Sequence, residues 1–133
     1  MVKLKTQSLN TADWYINANW VVNPANPTVK DFIATQGPIP QSVGNFWKMI
    51  WQEMVSVIVM LCGLEEDGRV SCHVYWPESK NHTFKVGNLV VSAGTIDKSN
   101  EFYWIREIHI TVNRRLNTRT RLPTRSGLFS NIT

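Results

Sequence analysis

Residues 45–61 read NFWKMIWQEMVSVIVML, and this stretch joins a helical hydrophobic period to a strand-like run. In its first part large apolar residues recur at spacings of three and four, which predicts a helix with one strongly apolar face and Ser42 as its N-cap. The residues on that face are Phe46, Trp47, Ile50, Trp51 and Met54. Residues 55–61 are nearly all apolar and often β-branched, which predicts a strand covered on both faces within an α/β sheet.

Two short strands are predicted before the helix. They cover residues 14–22 and 32–35, which are rich in aromatic and β-branched side chains. Asn and Pro in residues 23–27 separate them, and the Gly-Pro-Ile-Pro sequence at 37–40 is a rigid stop that a helix interior does not tolerate.

Three more strands are predicted after residue 61. They cover residues 70–76, 84–91 and 102–112, the last two as an antiparallel pair. The Glu-Glu-Asp-Gly sequence at 65–68 predicts an exposed turn. Strands around one early helix predict a mixed α/β or α+β layer fold.

The composition predicts a folded, soluble domain, since the 133 residues are 43% hydrophobic and 18% charged. The longest apolar run, residues 57–62, is far below the roughly 18 residues that suggest a membrane span. No apolar targeting segment follows Met1, so we expect a cytoplasmic location and no membrane segment. Five arginines within residues 114–125 account for the net charge of +4. They lack interleaved aromatic residues, so no nucleic-acid partner is expected.

Six segments match the motifs of one enzyme family in order and at suitable spacing. They are YINAN at 15–19, FIATQGP at 32–38, FWKMIW at 46–51, VIVML at 57–61, CHVYWP at 72–77 and, more weakly, YWIRE at 103–107. Over residues 9–121 the chain resembles the N-terminal half of a tyrosine-specific protein tyrosine phosphatase domain. The resemblance implies a highly twisted central sheet with a packed helix.

The same resemblance divides the chain into three parts. Residues 1–13 are an extended lead-in, residues 14–121 a partial phosphatase domain, and residues 122–133 a divergent C-terminal tail. The tail departs abruptly from the family pattern and is expected to be unpaired and solvated.

The family's chemistry requires residues that this chain does not encode. Relatives hydrolyse phosphotyrosine in signalling proteins with a cysteine thiolate and an arginine separated from it by five residues. Six residues after Cys72 stands Glu78, and six after Cys62 stands Gly68, so neither cysteine has that arginine. The WPE sequence at 76–78 is similar to the family's general-acid tripeptide, but it follows Cys72 at the spacing of a separate structural motif. No catalytic or substrate-binding residue is therefore expected, and the chain alone is expected to be inactive.

Glu66 is the residue that the resemblance places near the active site. It matches an acidic position that in relatives pairs with the arginine of the phosphate loop, a partner that this sequence lacks. Without the resemblance, Glu66 is interpreted as a solvated turn glutamate. Nearby, Ser71 stands where relatives usually carry a basic residue.

No metal site or cofactor is expected. Cys62 and Cys72 fit no metal-ligand spacing and are predicted to be reduced, buried thiols. His73, His82 and His109 lie apart in the sequence and share no local metal pattern, which favours structural or surface roles.

Two functional hypotheses remain open at this stage. The first is an incomplete phosphatase domain, whose complete relatives act on phosphotyrosine proteins. The alternative is a noncatalytic, pseudophosphatase-like interaction module, in which a protein partner covers the exposed sheet. The motifs are shared by the receptor-like and non-receptor branches, so the chain is expected either in the cytoplasm or as the cytoplasmic portion of a longer receptor-type parent.

Overall fold

The computed structural model describes residues 1–5 and 15–113 together with the backbone of residues 125–132. In chain order the elements are β1 Ala18–Asn23, β2 Asn26–Thr35, α1 Val43–Gln52, β3 Val57–Met60, β4 Glu65–Glu66, β5 Arg69–Val70, β6 Thr83–Val86, β7 Leu89–Asp97, β8 Tyr103–Val112 and β9 Arg125–Ile132. Across these ranges, no helix has the length and hydropathy that a bilayer crossing requires.

The main layer is a mixed five-stranded sheet in the order β3-β9-β8-β7-β6. β3 and β9 are parallel, whereas the other neighbouring pairs are antiparallel. Two further antiparallel ribbons, β1 with β2 and β4 with β5, complete the strands of the described part. One helix with this sheet confirms the predicted mixed α/β class.

The helix α1 begins where the sequence predicts, with Ser42 at the N-cap. Its hydroxyl caps the preceding turn instead of the helix, because it accepts a hydrogen bond from the Ile39 N–H at 3.0 Å and donates to the Ile39 carbonyl at 3.2 Å. The buried residues Phe46, Trp47, Met49 and Ile50 form the apolar face. Met54 lies beyond the last turn, with a positive φ of 55° and 61% of its surface exposed.

An aromatic cluster fixes α1 against residues 72–77. The Trp47 indole N–H donates to the Tyr75 carbonyl oxygen at 2.7 Å, and both side chains are buried. The Tyr75 ring also packs edge-on against Phe46, at 4.8 Å between centroids, and against Trp76, at 5.0 Å. Edge-to-face contacts of this kind stabilise a core beyond the area they bury.

Residues 1–5 are part of the same core. Val2 and Leu4 are buried, and the Val2 N–H donates to the Ala18 carbonyl at 2.8 Å. The Gln52 side chain receives the Lys5 N–H at 2.6 Å and so connects this segment to the end of α1. The described part of the predicted lead-in is thus packed into the core. The sequence did not indicate this, because these five residues have no clear hydrophobic period.

Several of the predicted strands differ from those in the structure. The strand predicted at 32–35 is the end of β2, which begins at Asn26 inside the predicted break. Of residues 70–76 only Val70 lies in a strand, at the end of β5, and residues 84–91 are split between β6 and β7. The split falls at Gly87, whose φ of 59° forms the hairpin turn. β3 matches its prediction in position, but Val57 and Val59 are 57% and 52% exposed, so coverage on both faces is wrong for the described residues.

The predicted unpaired tail is also wrong for residues 125–132. β9 lies between β3 and β8 and forms hydrogen-bonded ladders with both. Backbone donors and acceptors at the edges of β3 and β8 can be paired by any sequence, because the ladder uses main-chain groups. Side-chain pattern alone therefore did not reveal this strand.

We predict that Gly37→Ala destabilises the fold and that Gly44→Ala does not. A Cβ at position 37 would lie 2.8 Å from the Ser71 carbonyl oxygen and 2.9 Å from Cys72 Cβ, whereas at position 44 the nearest atom is 3.7 Å away. Overpacking should lower the free energy of unfolding by about 1–3 kcal/mol. Alanine inside a helix should raise it by about 0.5–1 kcal/mol.

Urea denaturation followed by circular dichroism measures both variants against the parent chain. A Gly37→Ala chain as stable as the parent would contradict the close contact with Ser71 and Cys72.

Candidate functional site

The candidate site is the β4–β5 hairpin, which confirms the exposed turn predicted at residues 65–68. Glu66 pairs with Arg69 across a two-residue loop. Asp67 and Gly68 both have positive φ, 51° and 73°, as a type I′ turn requires. Asp tolerates this conformation and Gly adopts it without steric cost, so the Asp-Gly pair encodes the turn locally.

The hairpin holds the Glu66 carboxylate in a defined position although the residue is exposed. Oε1 accepts the Gly63 N–H at 3.1 Å, and Oε2 accepts the Ser71 hydroxyl at 3.1 Å. A carboxylate has about four lone-pair sites, so two hydrogen bonds leave acceptor capacity for a further donor. Sequence reasoning noted Ser71 only as a departure from the family pattern and missed its contact with Glu66.

Cys72 follows this hairpin in the chain and is 3% exposed. Its thiol donates to the His73 carbonyl at 3.3 Å, and Gly37 packs directly against it. Burial raises the pKa of Cys72 to about 11, with a further contribution from the neighbouring Cys62. The side chain is therefore a protonated thiol at neutral pH. Because only the thiolate is nucleophilic, Cys72 is a poor nucleophile in this state. Both cysteines are free, as predicted, although Cys62 is only half-buried.

Residues 76–78 belong to the core and its border. Trp76 and Pro77 are buried, and the Arg106 guanidinium lies 5.3 Å from the centre of the Trp76 ring. Desolvation lowers the pKa of Arg106, opposed by the charge of Glu78. One guanidinium nitrogen of Arg106, Nη1, is buried without a hydrogen-bond partner. This packing supports the interpretation of the WPE sequence as a structural motif.

The three histidines lie in different surroundings. His82 packs against Phe84 at 5.1 Å between ring centres, and His109 Nε2 lies 3.8 Å from Glu107 Oε1. The backbone N–H of His73 donates to the Pro38 carbonyl at 2.8 Å. Among the described residues, no three potential ligands come together in a way that would hold a metal ion.

A polar cluster on β7 and β8 was not found by sequence reasoning. Glu107 Oε2 accepts hydrogen bonds from the Thr95 hydroxyl at 3.1 Å and from the Thr95 N–H at 3.3 Å. These bonds lower the pKa of Glu107. They span the irregular register between Ala93 and Ile96, so they stabilise a bulge whose position the strand pattern does not reveal.

Comparison with known proteins gives one family. A family model described as Protein-tyrosine phosphatase matches residues 1–123. Receptor-type tyrosine-protein phosphatase eta of Mus musculus is 44% identical over 91 residues, 68% of this chain and 7% of that protein. The Gallus gallus protein of the same name is 36% identical over 123 residues, 83% of this chain and 8% of that protein. Phosphatidylinositol phosphatase PTPRQ of Homo sapiens is 40% identical over 91 residues, 68% of this chain and 4% of that protein.

Solved structures give the same result for the fold. The catalytic domain of human protein tyrosine phosphatase non-receptor type 18 has a TM-score of 0.73 and 27% identity, covering 89% of this chain and 38% of that chain. A complex of the same phosphatase with HER2 phosphor-peptides has a TM-score of 0.74, covering 89% of this chain and 37% of that chain.

The chain thus spans less than a tenth of the curated relatives and less than half of the solved domain. Within that span the sequence motifs, the family match and the fold agree. The chain belongs to the protein-tyrosine phosphatase family.

Proposed function

We propose that this chain is a scaffold portion of a tyrosine phosphatase domain and does not hydrolyse phosphotyrosine by itself. The observation that carries the proposal is the state of Cys72, which is buried and, with a pKa of about 11, protonated at neutral pH. Family chemistry needs a thiolate with an arginine close to the phosphoryl oxygens. Neither Cys72 nor Cys62 has an arginine at the required spacing.

Within a complete domain, we propose that Glu66 receives the arginine of the phosphate loop. The Glu66 carboxylate supports this proposal, because hydrogen bonds from Gly63 and Ser71 hold it in place and it can still accept a further donor. A preorganised carboxylate can hold a guanidinium by two parallel hydrogen bonds. In this proposal Glu66 positions the arginine, and the arginine contacts the phosphate.

For the complete domain we propose phosphotyrosine in proteins as the substrate. The solved relative bound to HER2 phosphor-peptides supports this class. PTPRQ is named as a phosphatidylinositol phosphatase, so a lipid phosphate is tested as a second substrate class.

We also propose a cytoplasmic location. The two free thiols support it, because disulfides are rare in the cytoplasm. Residues 14–121 remain our proposal for the domain portion and residues 122–133 for a divergent C-terminal segment, beside a family match that covers residues 1–123.

A second candidate function is a noncatalytic interaction module. Val57, Val59 and Leu61 alternate along and just after β3 and are 57%, 52% and 78% exposed. Met60, on the opposite face, is buried in the core. Neighbouring exposed apolar side chains mark surfaces that another element covers. We propose that the occupant is the remaining portion of a phosphatase domain, because this chain matches only 38% of a solved one.

We predict no hydrolysis of a phosphotyrosine peptide by the purified chain. Its rate should equal that of a Cys62→Ser/Cys72→Ser double variant, which controls for contaminating phosphatase. Turnover by the parent chain that the double variant loses would contradict the proposal. The same assay with a phosphatidylinositol phosphate tests the lipid class.

The positive control is a chimera in which residues 1–113 of this chain are followed by the part of a solved relative that comes after the position equivalent to residue 113. This chimera should hydrolyse the peptide. Glu66→Gln in the chimera should lower kcat/KM by about 10²-fold, as loss of one preorganised electrostatic contact does. The adjacent Glu65→Gln should leave kcat/KM unchanged, and equal effects of the two variants would rule out the role proposed for Glu66.

We predict that alkylation of Cys72 is slow at neutral pH and accelerates as the pH rises. Since the pKa of this thiol is raised to about 11, the thiolate fraction should increase about tenfold per pH unit below that value. Iodoacetamide labelling of the native chain, followed by peptide mass spectrometry, gives the rates of Cys62 and Cys72 separately. A Cys72 rate already independent of pH near neutrality would mean a stabilised thiolate and would contradict the prediction.

We predict that Val59→Lys weakens binding of the separately expressed remainder of a phosphatase domain. A buried lysine without a partner costs several kcal/mol, so the affinity should fall more than about tenfold. Val21→Lys, on the β1–β2 ribbon, is the matched control and should bind as the parent does. Titration calorimetry measures all three, and unchanged affinity of the Val59→Lys chain would exclude β3 as the docking surface.

A further inference from the structure

The strand β8 has two faces of different character. Ile108 and Ile110 are 1% and 7% exposed, so the even-numbered residues of this strand face the core. The odd-numbered residues Tyr103, Ile105 and Glu107 therefore lie on the outer face. Tyr103 is 38% exposed, which leaves its ring accessible on that face.

The end of β7 lies beside this outer face. Asp97 is the register partner of Ile105, and residues directly opposite each other in an antiparallel pair point to the same side. Two short-range hydrogen bonds order the loop that connects the strands. Asp97 Oδ1 accepts the Ser99 N–H at 2.8 Å, and Asn100 Oδ1 accepts the Phe102 N–H at 2.8 Å.

A cavity of about 130 Å³ lies where this loop meets the outer face. Its lining residues are Asp97, Ser99, Asn100, Tyr103 and Ile105. Sites for small organic ligands usually measure roughly 300–1,000 Å³. The cavity therefore has room for one side chain and is too small for a cofactor-sized molecule.

The outer face at this cavity carries negative charge. Hydrogen bonds from the Ser99 side chain and backbone lower the pKa of Asp97 below its ordinary value, so the carboxylate is ionised at neutral pH. A carboxylate has about four lone-pair sites and can accept further donors. Glu107, two residues beyond Ile105, adds a second carboxylate to the same face. A cation is the ligand that this charge favours, whereas a phosphate would be repelled.

Two basic side chains of this region lie on the opposite face. The Lys98 ammonium lies 3.8 Å from the centre of the Trp104 ring, and the Arg106 guanidinium lies 5.3 Å from the centre of the Trp76 ring. Trp104 and Arg106 are even-numbered residues of β8 and so share its inner face. Neither cation is therefore placed to neutralise Asp97.

We propose that this cavity binds an arginine side chain from a segment of a partner protein. The guanidinium donates to the Asp97 carboxylate and stacks on the Tyr103 ring, while its methylenes contact Ile105. Arginine fits better than lysine, because its planar group can stack on a ring and donate hydrogen bonds at once. The site is independent of phosphotyrosine hydrolysis and does not rest on the function proposed above.

The chemistry of the cavity favours this occupant over two others. A single carboxylate is a poor set of ligands for a hard metal ion such as Ca²⁺, which takes about six to eight oxygen atoms. A second copy of this chain is disfavoured because each copy carries a net charge of +4. An accessible aromatic ring beside a carboxylate is instead typical of a surface that receives arginine at protein interfaces.

The test titrates the ¹⁵N-labelled full chain with a blocked pentapeptide that carries one arginine between glycines. We expect the amide signals of residues 97–105 to shift and saturate, with a Kd on the order of 1 mM for one side-chain contact. The net charge of +4 opposes nonspecific attraction of a cationic peptide, so saturable shifts report a defined site.

Two variants separate the cavity from the general charge of the loop. Asp97→Asn removes the charge but keeps an oxygen that can accept the Ser99 N–H, so the loop should stay folded. It should weaken binding about fivefold, as loss of an exposed ion pair does. Glu101→Gln is the matched control, because this residue is exposed on the same loop and does not line the cavity. Its affinity should equal that of the parent.

Two further peptides test the chemistry of the ligand on the parent chain, so their result does not depend on how the variants fold. A citrulline peptide has nearly the same shape without the charge and should give no saturable shifts. A lysine peptide should bind several-fold more weakly than the arginine peptide.

Four results would overturn the proposal: equal binding of the citrulline or lysine peptide, shifts that map outside the cavity, unchanged affinity of the Asp97→Asn chain, or equal losses for Asp97→Asn and Glu101→Gln. Self-association of the chain that Asp97→Asn abolishes would place the arginine in a second copy and would exclude the partner proposed here.

Discussion

The buried hydrogen bond from the Trp47 indole N–H to the Tyr75 carbonyl oxygen, 2.7 Å long, connects the helix to the segment that follows the β4–β5 hairpin. It satisfies a polar group on each partner in a place that water does not reach, so loss of either group would leave the other unpaired at a cost of about 1–3 kcal/mol. Because Tyr75 is held in this way, Cys72, three residues earlier, is held against Gly37. The burial and the raised pKa of Cys72 follow from that position.

The β4–β5 hairpin comes directly before this segment. The hairpin carries Glu66, whose carboxylate is fixed by Gly63 and Ser71, and the Leu64 carbonyl just before it accepts the Cys72 N–H at 3.3 Å. One short ribbon therefore connects an exposed carboxylate to the segment that carries the buried Cys72 thiol.

The elements that the sequence predicted well are those with local causes. The period of three and four from Phe46 to Met54 predicted α1, and the Glu-Glu-Asp-Gly sequence at 65–68 predicted an exposed turn, in which the structure gives Asp67 and Gly68 positive φ. One missed element also had a local cause. The Gly87-Asn88 turn signal stood within residues 84–91, yet the apolar residues around it were interpreted as one strand although they belong to β6 and β7.

Sequence by itself determined the family, the mixed α/β class, the helix and the missing cysteine–arginine spacing, because motifs and short-range periods depend on neighbouring residues. Tertiary structure alone decided three other features. β9 is an internal strand of the sheet because main-chain hydrogen bonds can form with almost any sequence. One face of β3 is exposed because the burial of a strand face depends on whether another element packs against it. Cys72 became buried against Gly37 because the chain folds back on itself, so residues 35 positions apart are in contact.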